Sequence, residues 1–211
     1  MALVSVDSET NPAHHDPPMR ILRGIGVVFL WVFGWRLEGE IPPGLHKSVA
    51  IAAPHTTNWD LPFMLAVSWA LGVHPAWLGK RELFRWPFGW LMRGLGGIPV
   101  DRDRRTNLVD QAIQRLAEAD RLFLVIPPSG TRSRAPYWRS GFYHIARGAR
   151  VPIVCAFLDY HRKVGGVGLV FTPTADLGAD MDRLRVFYRD IRGRYPSLET
   201  PVRLSEEDAA A

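Results

Sequence analysis

The histidine and aspartate of Pro54-His55-Thr56-Thr57-Asn58-Trp59-Asp60 are the two side chains of this sequence best spaced for chemistry. A turn through the four intervening residues lets Asp60 reach one imidazole nitrogen of His55. A carboxylate there fixes the imidazole tautomer and stabilises the imidazolium, leaving the other nitrogen free as a general base. The same residues also admit a plainer reading, with Asp60 capping the helix that follows and His55 an ordinary loop residue. A metal site needs a further His or Cys, and the sequence places none beside this pair.

Two other segments carry groups suited to anionic ligands. From Gly79 to Arg102 the basic residues Lys80, Arg81, Arg85, Arg93 and Arg102 alternate with Phe84, Trp86, Phe88 and Trp90. That mixture suits a surface meeting phosphate headgroups and acyl chains together, or equally a helix packed by its aromatics. In Pro127-Pro128-Ser129-Gly130-Thr131-Arg132-Ser133, Gly130 permits a sharp turn with exposed N–H groups, and its neighbours supply side-chain donors. These are the parts of a phosphate or oxyanion cradle, although taken alone the segment reads better as a solvated loop. It is not a serine-hydrolase elbow, because no glycine stands two residues before Ser129.

The apolar pattern supplies elements to hold these groups. Residues 48–54 read as a buried strand running into a turn, and Leu61 to Leu71 as an apolar helix with Pro62 in its first turn. Short strands are expected at 76–79 and 98–100, and a helix from Leu108 to Leu116 with Asn107 as its N-cap. A strand at 121–126, a helix at 137–147, strands at 151–157 and 167–171, and a last helix starting near Asp180 complete the series. Strands alternating with helices predict a single α/β domain, a mixed, mainly parallel sheet flanked by helices. The candidate residues then fall at the C-terminal ends of strands, where such sheets present their sites. His144 and His161 are assigned structural roles on a helix and a strand, and Arg104 and Arg105 a solvated basic turn.

These three segments, in this order, resemble the PlsC-type glycerolipid or lysophosphatidic acid acyltransferase family. Its pattern is H-x-x-x-x-D, then a Lys-x-Glu-Leu stretch ending in Gly-x-Ile-x-Val-Asp-Arg, then Pro-Glu-Gly-Thr-Arg-Ser. A fourth family block resembles Val151-Pro152-Ile153-Val154, so the likeness runs from about Val49 to Phe157. The resemblance implies a glycerol-3-phosphate acyltransferase-like domain that moves a fatty acyl group onto a lysophospholipid hydroxyl in phospholipid biosynthesis. It implies catalytic roles for His55 and Asp60, and substrate binding by Lys80, Glu82, Arg102, Ser129, Gly130, Thr131 and Arg132. The implied donor is acyl-CoA or acyl carrier protein, with no other cofactor and no metal. Ser129 departs from the pattern, standing where the family has glutamate, in the block associated with the acceptor. A lipid-binding relative without activity, or transfer to a non-glycerolipid acceptor, are the alternatives this departure raises.

Composition agrees with an anionic partner. The 211 residues carry a net charge of +5, and apart from Lys47, Lys80 and Lys163 every one of the 26 basic residues is arginine, which suits bidentate phosphate contacts. A nucleic-acid module would share that charge but has no use for the apolar helix after Asp60. Cys155, the sole cysteine, lies in an apolar run and reads as an inert core thiol. Gly24 to Trp35 is an uncharged apolar run between Arg23 and Arg36, shorter than the ~20 residues of a spanning helix. Lying in one membrane face and packing in the core are both open to it, and Gly24, Gly26 and Gly34 count against a helix in water. The expectation is a bacterial protein held peripherally or monotopically on the cytoplasmic face of the membrane. Residues 1–18 and 197–211 are expected to fray around a domain at 19–196.

Overall fold

Strand β2 (Lys47–Ala53) shows how the sequence makes a sheet with two unlike faces. Successive side chains point to opposite sides. Val49, Ile51 and Ala53 enter one buried cluster, and the smaller Ala50 and Ala52 another. The neighbouring strands β5 (Leu122–Ile126) and β6 (Ile153–Asp159) divide in the same way, with Leu124, Ile153 and Cys155 on the first side and Val125, Val154 and Ala156 on the second. Strands apolar on both faces must be covered on both, as parallel strands are. This computed structural model describes residues 19–100 and 108–208.

Helices α4 (Leu108–Glu118), α5 (Gly141–Ala149) and α6 (Leu177–Tyr188) cover the bulky face, through Leu116, Phe142, Met181 and Leu184 among others. Helix α2 (Asp60–Ala70) covers the alanine-lined face. Among the described residues seven strands run β1-β7-β6-β2-β5-β3-β4, adding β1 (Arg36–Glu38), β3 (Pro75–Lys80), β4 (Gly97–Val100) and β7 (Val164–Phe171). The block β6-β2-β5-β3-β4 is parallel, β7 is antiparallel to β6, and β1 is parallel to β7. The mixed, mainly parallel α/β sheet flanked by helices is thus as expected.

Helix α1 (Met19–Val32) forms despite its glycines, because tertiary packing outweighs their low propensity. Leu22, Gly26 and Leu30, spaced by four, make its buried stripe. Gly26 is the point of closest approach to α2: a Cβ there would lie 2.4 Å from the Ala66 carbonyl oxygen. The core reading holds for that stripe alone, since Ile21, Ile25, Val28, Trp31 and Val32 on the other face remain exposed. Among the described residues no helix is long and apolar enough to cross a membrane.

Four other expectations are corrected. Residues 197–208 do not fray: Leu204 is fully buried and bridges to Trp138, and Glu207 in the short helix α7 (Ser205–Asp208) pairs with Arg185. That same bridge holds Trp138 out of a helix, so α5 starts at Gly141 rather than Tyr137. Helix α6 starts at Leu177, earlier than Asp180, because the Asp176 side chain caps it by accepting from the Ala179 N–H at 2.9 Å. His161 lies in the turn between β6 and β7, not on a strand, while His144 is on α5. Asn107, Arg104 and Arg105 lie outside the described residues.

Candidate active site

His55 follows the C-terminal end of β2, and Asp60 opens α2. The loop between them folds around the carboxylate. Asp60 Oδ2 lies 2.9 Å from His55 Nδ1 and accepts the N–H groups of Thr56 at 3.0 Å and Thr57 at 3.2 Å. The two amides precede the helix, so Asp60 ties the loop rather than capping α2; the N-cap position belongs to Trp59. The carboxylate is 8% exposed and the imidazole 24%, so the acid is held inside while the base reaches outward. With Nδ1–H donated to Asp60, Nε2 is left to accept a proton.

Asp60 also receives a fourth donor that the sequence reading did not assign. The Tyr160 hydroxyl, just beyond the end of β6, donates to Asp60 Oδ1 at 2.8 Å. The register that pairs Ala53 with Phe157 places the residues after both strands side by side, a neighbourhood that no local sequence pattern signals. Burial, and then the charge of Asp60, push the Tyr160 phenol well above its ordinary range, so it is a standing donor.

The segment after α6 closes over the same loop. Thr56 Oγ1 accepts the Tyr195 N–H at 3.2 Å, and the backbone at Gly193 passes so close that a Cβ there would meet Thr56 Oγ1 at 2.9 Å. Cys155 takes no part: it is fully buried, and desolvation pushes its thiol up to about 12, as expected of an inert core residue.

Ser129, Gly130, Thr131 and Arg132 follow β5, the strand beside β2. Arg132 Nη1 donates to Asn58 Oδ1, which joins this segment directly to the His55 loop. Gly130 adopts φ +64°, the left-handed conformation its sequence position suggests. Its N–H is not free for an oxyanion, however, because it donates to the Pro127 carbonyl at 3.0 Å. Ser129 is buried, and its hydroxyl donates to the Thr131 carbonyl at 2.7 Å. Lys80 and Glu82 are exposed at the end of β3 and in the 3₁₀ turn after it. They sit two strands from β2, roughly 10 Å laterally, at the rim rather than against His55. Arg102 lies outside the described residues.

Behind His55 and Asp60 opens an apolar cleft of about 670 Å³, mouth included. It exists because β2 presents Ala50 and Ala52 toward α2 there, with Ala156 and Gly166 beside them, too small to fill the space beneath Met64, Val67 and Leu71. The sheet floor and α2 roof give it almost no polar group except at the dyad and Ser68.

Comparison with known proteins places the chain in a family and a fold. A family model described as Acyltransferase matches residues 35–158, more than half of the chain. The 1-acyl-sn-glycerol-3-phosphate acyltransferase of Streptococcus pneumoniae is 30% identical over 141 residues, 63% of this chain and 51% of that protein. The chain thus spans about half the length of that curated relative. The crystal structure of the 1-acyl-sn-glycerophosphate (LPA) acyltransferase, PlsC, from Thermotoga maritima superposes with a TM-score of 0.56 at 17% identity, covering 82% of this chain and 75% of that one, a likeness of fold. The chain belongs to the acyltransferase family, which its histidine–aspartate loop and the blocks after it resemble.

Proposed function

We propose that the protein transfers a fatty acyl group from acyl-CoA or acyl carrier protein to a hydroxyl of a lysophospholipid or related lipid. The observation that carries this reading is the opening of the His55–Asp60 pair into an apolar cleft. An acyl chain lying in that cleft brings its thioester carbonyl to the mouth, beside His55 Nε2. The acceptor hydroxyl attacks the carbonyl carbon while His55 takes its proton, and Asp60 stabilises the imidazolium that forms. Collapse of the tetrahedral intermediate breaks the carbon–sulfur bond, and the proton on His55 leaves with the thiolate. An ester and a free thiol result, and the enzyme returns to its starting state.

Arg132, anchored beside the loop through Asn58, is the cation best placed to bind a phosphate of acceptor or donor. Lys80 and Glu82 contribute from the rim. Phe33, at the end of α1, lies with its ring centroid 6.1 Å from that of Trp59 in the His55 loop, and both are exposed. Together with the outer face of α1 they form an apolar border that suits peripheral attachment to the cytoplasmic face of a membrane, where a lipid acceptor resides.

The test is incubation of the protein with labelled acyl-CoA or acyl carrier protein and a panel of lysolipids, following free thiol and product mass. Thiol release that depends on a lysolipid, with an acylated product, is expected. Lipid binding with no thiol release would assign the chain to the non-catalytic relatives instead.

A further inference from the structure

Asp60 has two carboxylate oxygens, and only one of them faces the histidine. Oδ2 takes His55 and the two loop amides, whereas Oδ1 takes the Tyr160 hydroxyl at 2.8 Å. Tyr160 comes from 100 residues further along the chain and lies beyond the stretch that matches the family model. It is fixed from three directions. Its N–H donates to the Arg192 carbonyl at 2.9 Å, and its ring stands edge-on to Trp35 at 4.9 Å and to Phe63 at 5.9 Å. Trp35 and Phe63 are themselves stacked at 4.3 Å, so the phenol has little room to move.

We propose that Tyr160 is a positioning residue of the catalytic unit, whose hydroxyl holds the Asp60 carboxylate in the rotation that keeps Oδ2 on His55 Nδ1. The terminal torsion of an aspartate is soft and nearly two-fold, so a carboxylate held through one oxygen swings. One tied through both does not. Apart from Asp60, the charged or titratable groups near the phenol are Arg194 and Tyr195, from the segment that closes over the loop. The inference rests on the general-base role proposed for His55, and the test separates the two.

Tyr160→Phe keeps the ring and removes the donor. The full chain is compared with wild type by steady-state kinetics with acyl-CoA and lysophosphatidic acid, by thermal unfolding, and by the proton NMR signal of His55 Nδ1–H, identified by its loss in His55→Ala. We expect kcat to fall about tenfold or more, in line with residues that orient a functional imidazole through its partner. KM for both substrates should change by less than about twofold, and the Nδ1–H signal should move upfield and broaden. Site-specific 3-fluorotyrosine at 160 keeps the shape and strengthens the donor, and should move the signal the opposite way, which covers the case in which Tyr160→Phe fails to fold. An unmoved signal in either protein overturns the proposal, even if turnover falls, because the hydroxyl then acts elsewhere. So does an unchanged kcat. The NMR readout needs no substrate: a wild type that transfers no acyl group while its Nδ1–H signal responds to both changes refutes the activity and leaves the positioning role standing.

Discussion

Arg132 donates through Nη1 to Oδ1 of Asn58, joining segments that stand 74 residues apart in the chain. The parallel neighbours β2 and β5 make this possible, since both segments leave the C-terminal ends of adjacent strands. The guanidinium is thereby tied to the loop that carries His55. Anchoring by a neutral amide, with no carboxylate paired to it among the described residues, leaves its charge to meet a phosphate.

Arg132→Ala is accordingly expected to weaken substrate binding more than it slows chemistry. A lost charge-assisted contact corresponds to about 10–150-fold in apparent affinity for the phosphate-bearing substrate. Initial rates across both substrate concentrations check this. Unchanged KM for donor and acceptor alike would make Arg132 a loop anchor only.

His55→Ala should leave the fold intact, because the imidazole is partly exposed and its partner Asp60 keeps three other donors. Turnover should fall about 10²–10⁴-fold, the range for loss of a general base. Asp60→Asn is expected to be severe for a different reason: an amide neither stabilises imidazolium nor fixes the tautomer. Purified His55→Ala that retains half of wild-type turnover at saturation would remove His55 from the mechanism.

Attachment to a membrane is expected to run through the exposed aromatics. Trp31 on α1 is 78% exposed, and Trp86 and Trp90, around the start of α3 (Gly89–Gly94), are 92% and 74% exposed among Arg81, Arg85 and Arg93. Folding derives nothing from leaving such side chains in water, whereas burying one apolar side chain is worth about 1.5–3 kcal/mol. Full-length protein should float with anionic vesicles at low salt. Replacing Trp31, Trp86 and Trp90 by serine should reduce binding about tenfold or more while leaving thermal stability unchanged. Wild-type protein that stays soluble beside the vesicles would defeat this expectation.

Much of the site was legible because it obeys local rules. The strands of β2, β5 and β6 are continuous apolar runs, the His55 loop separates a strand from an apolar helix, and Gly130 marks its turn. What escaped the reading depends on distant parts of the chain. β1 is three residues with exposed side chains, paired only by backbone to Val164, Gly165 and Gly166, and leaves no apolar pattern to read. Leu204 looked like part of an acidic tail because its burial is decided by Trp138 and its neighbours, not by its own surroundings in sequence. Tyr160 meets Asp60 only because β6 lies beside β2, a strand order that periodicity does not reveal. The cleft behind the dyad is likewise a property of alanines on adjacent strands, each unremarked alone.

Ser129 is expected to set an acceptor preference different from lysophosphatidic acid. Its hydroxyl turns inward to the Thr131 carbonyl, and the Arg139 side chain packs over Gly130 beside it, so close that a Cβ on that glycine would lie 2.6 Å from Arg139 Nε. A glutamate at 129, as the family pattern has it, would set a carboxylate beside Arg139 and Arg132 and neutralise part of their charge. Serine is shorter and neutral, which leaves more room and more positive potential at this end of the site. A bulkier or more anionic acceptor should therefore be favoured. Comparing wild type with Ser129→Glu across a panel of lysolipids and polyols measures this directly, and the variant should move the ranking toward lysophosphatidic acid. Buried as it is, position 129 must also accept the larger side chain, so thermal unfolding of the variant is measured alongside. A wild type that already prefers lysophosphatidic acid, with a folded Ser129→Glu variant ranking the panel identically, would show that the serine is silent.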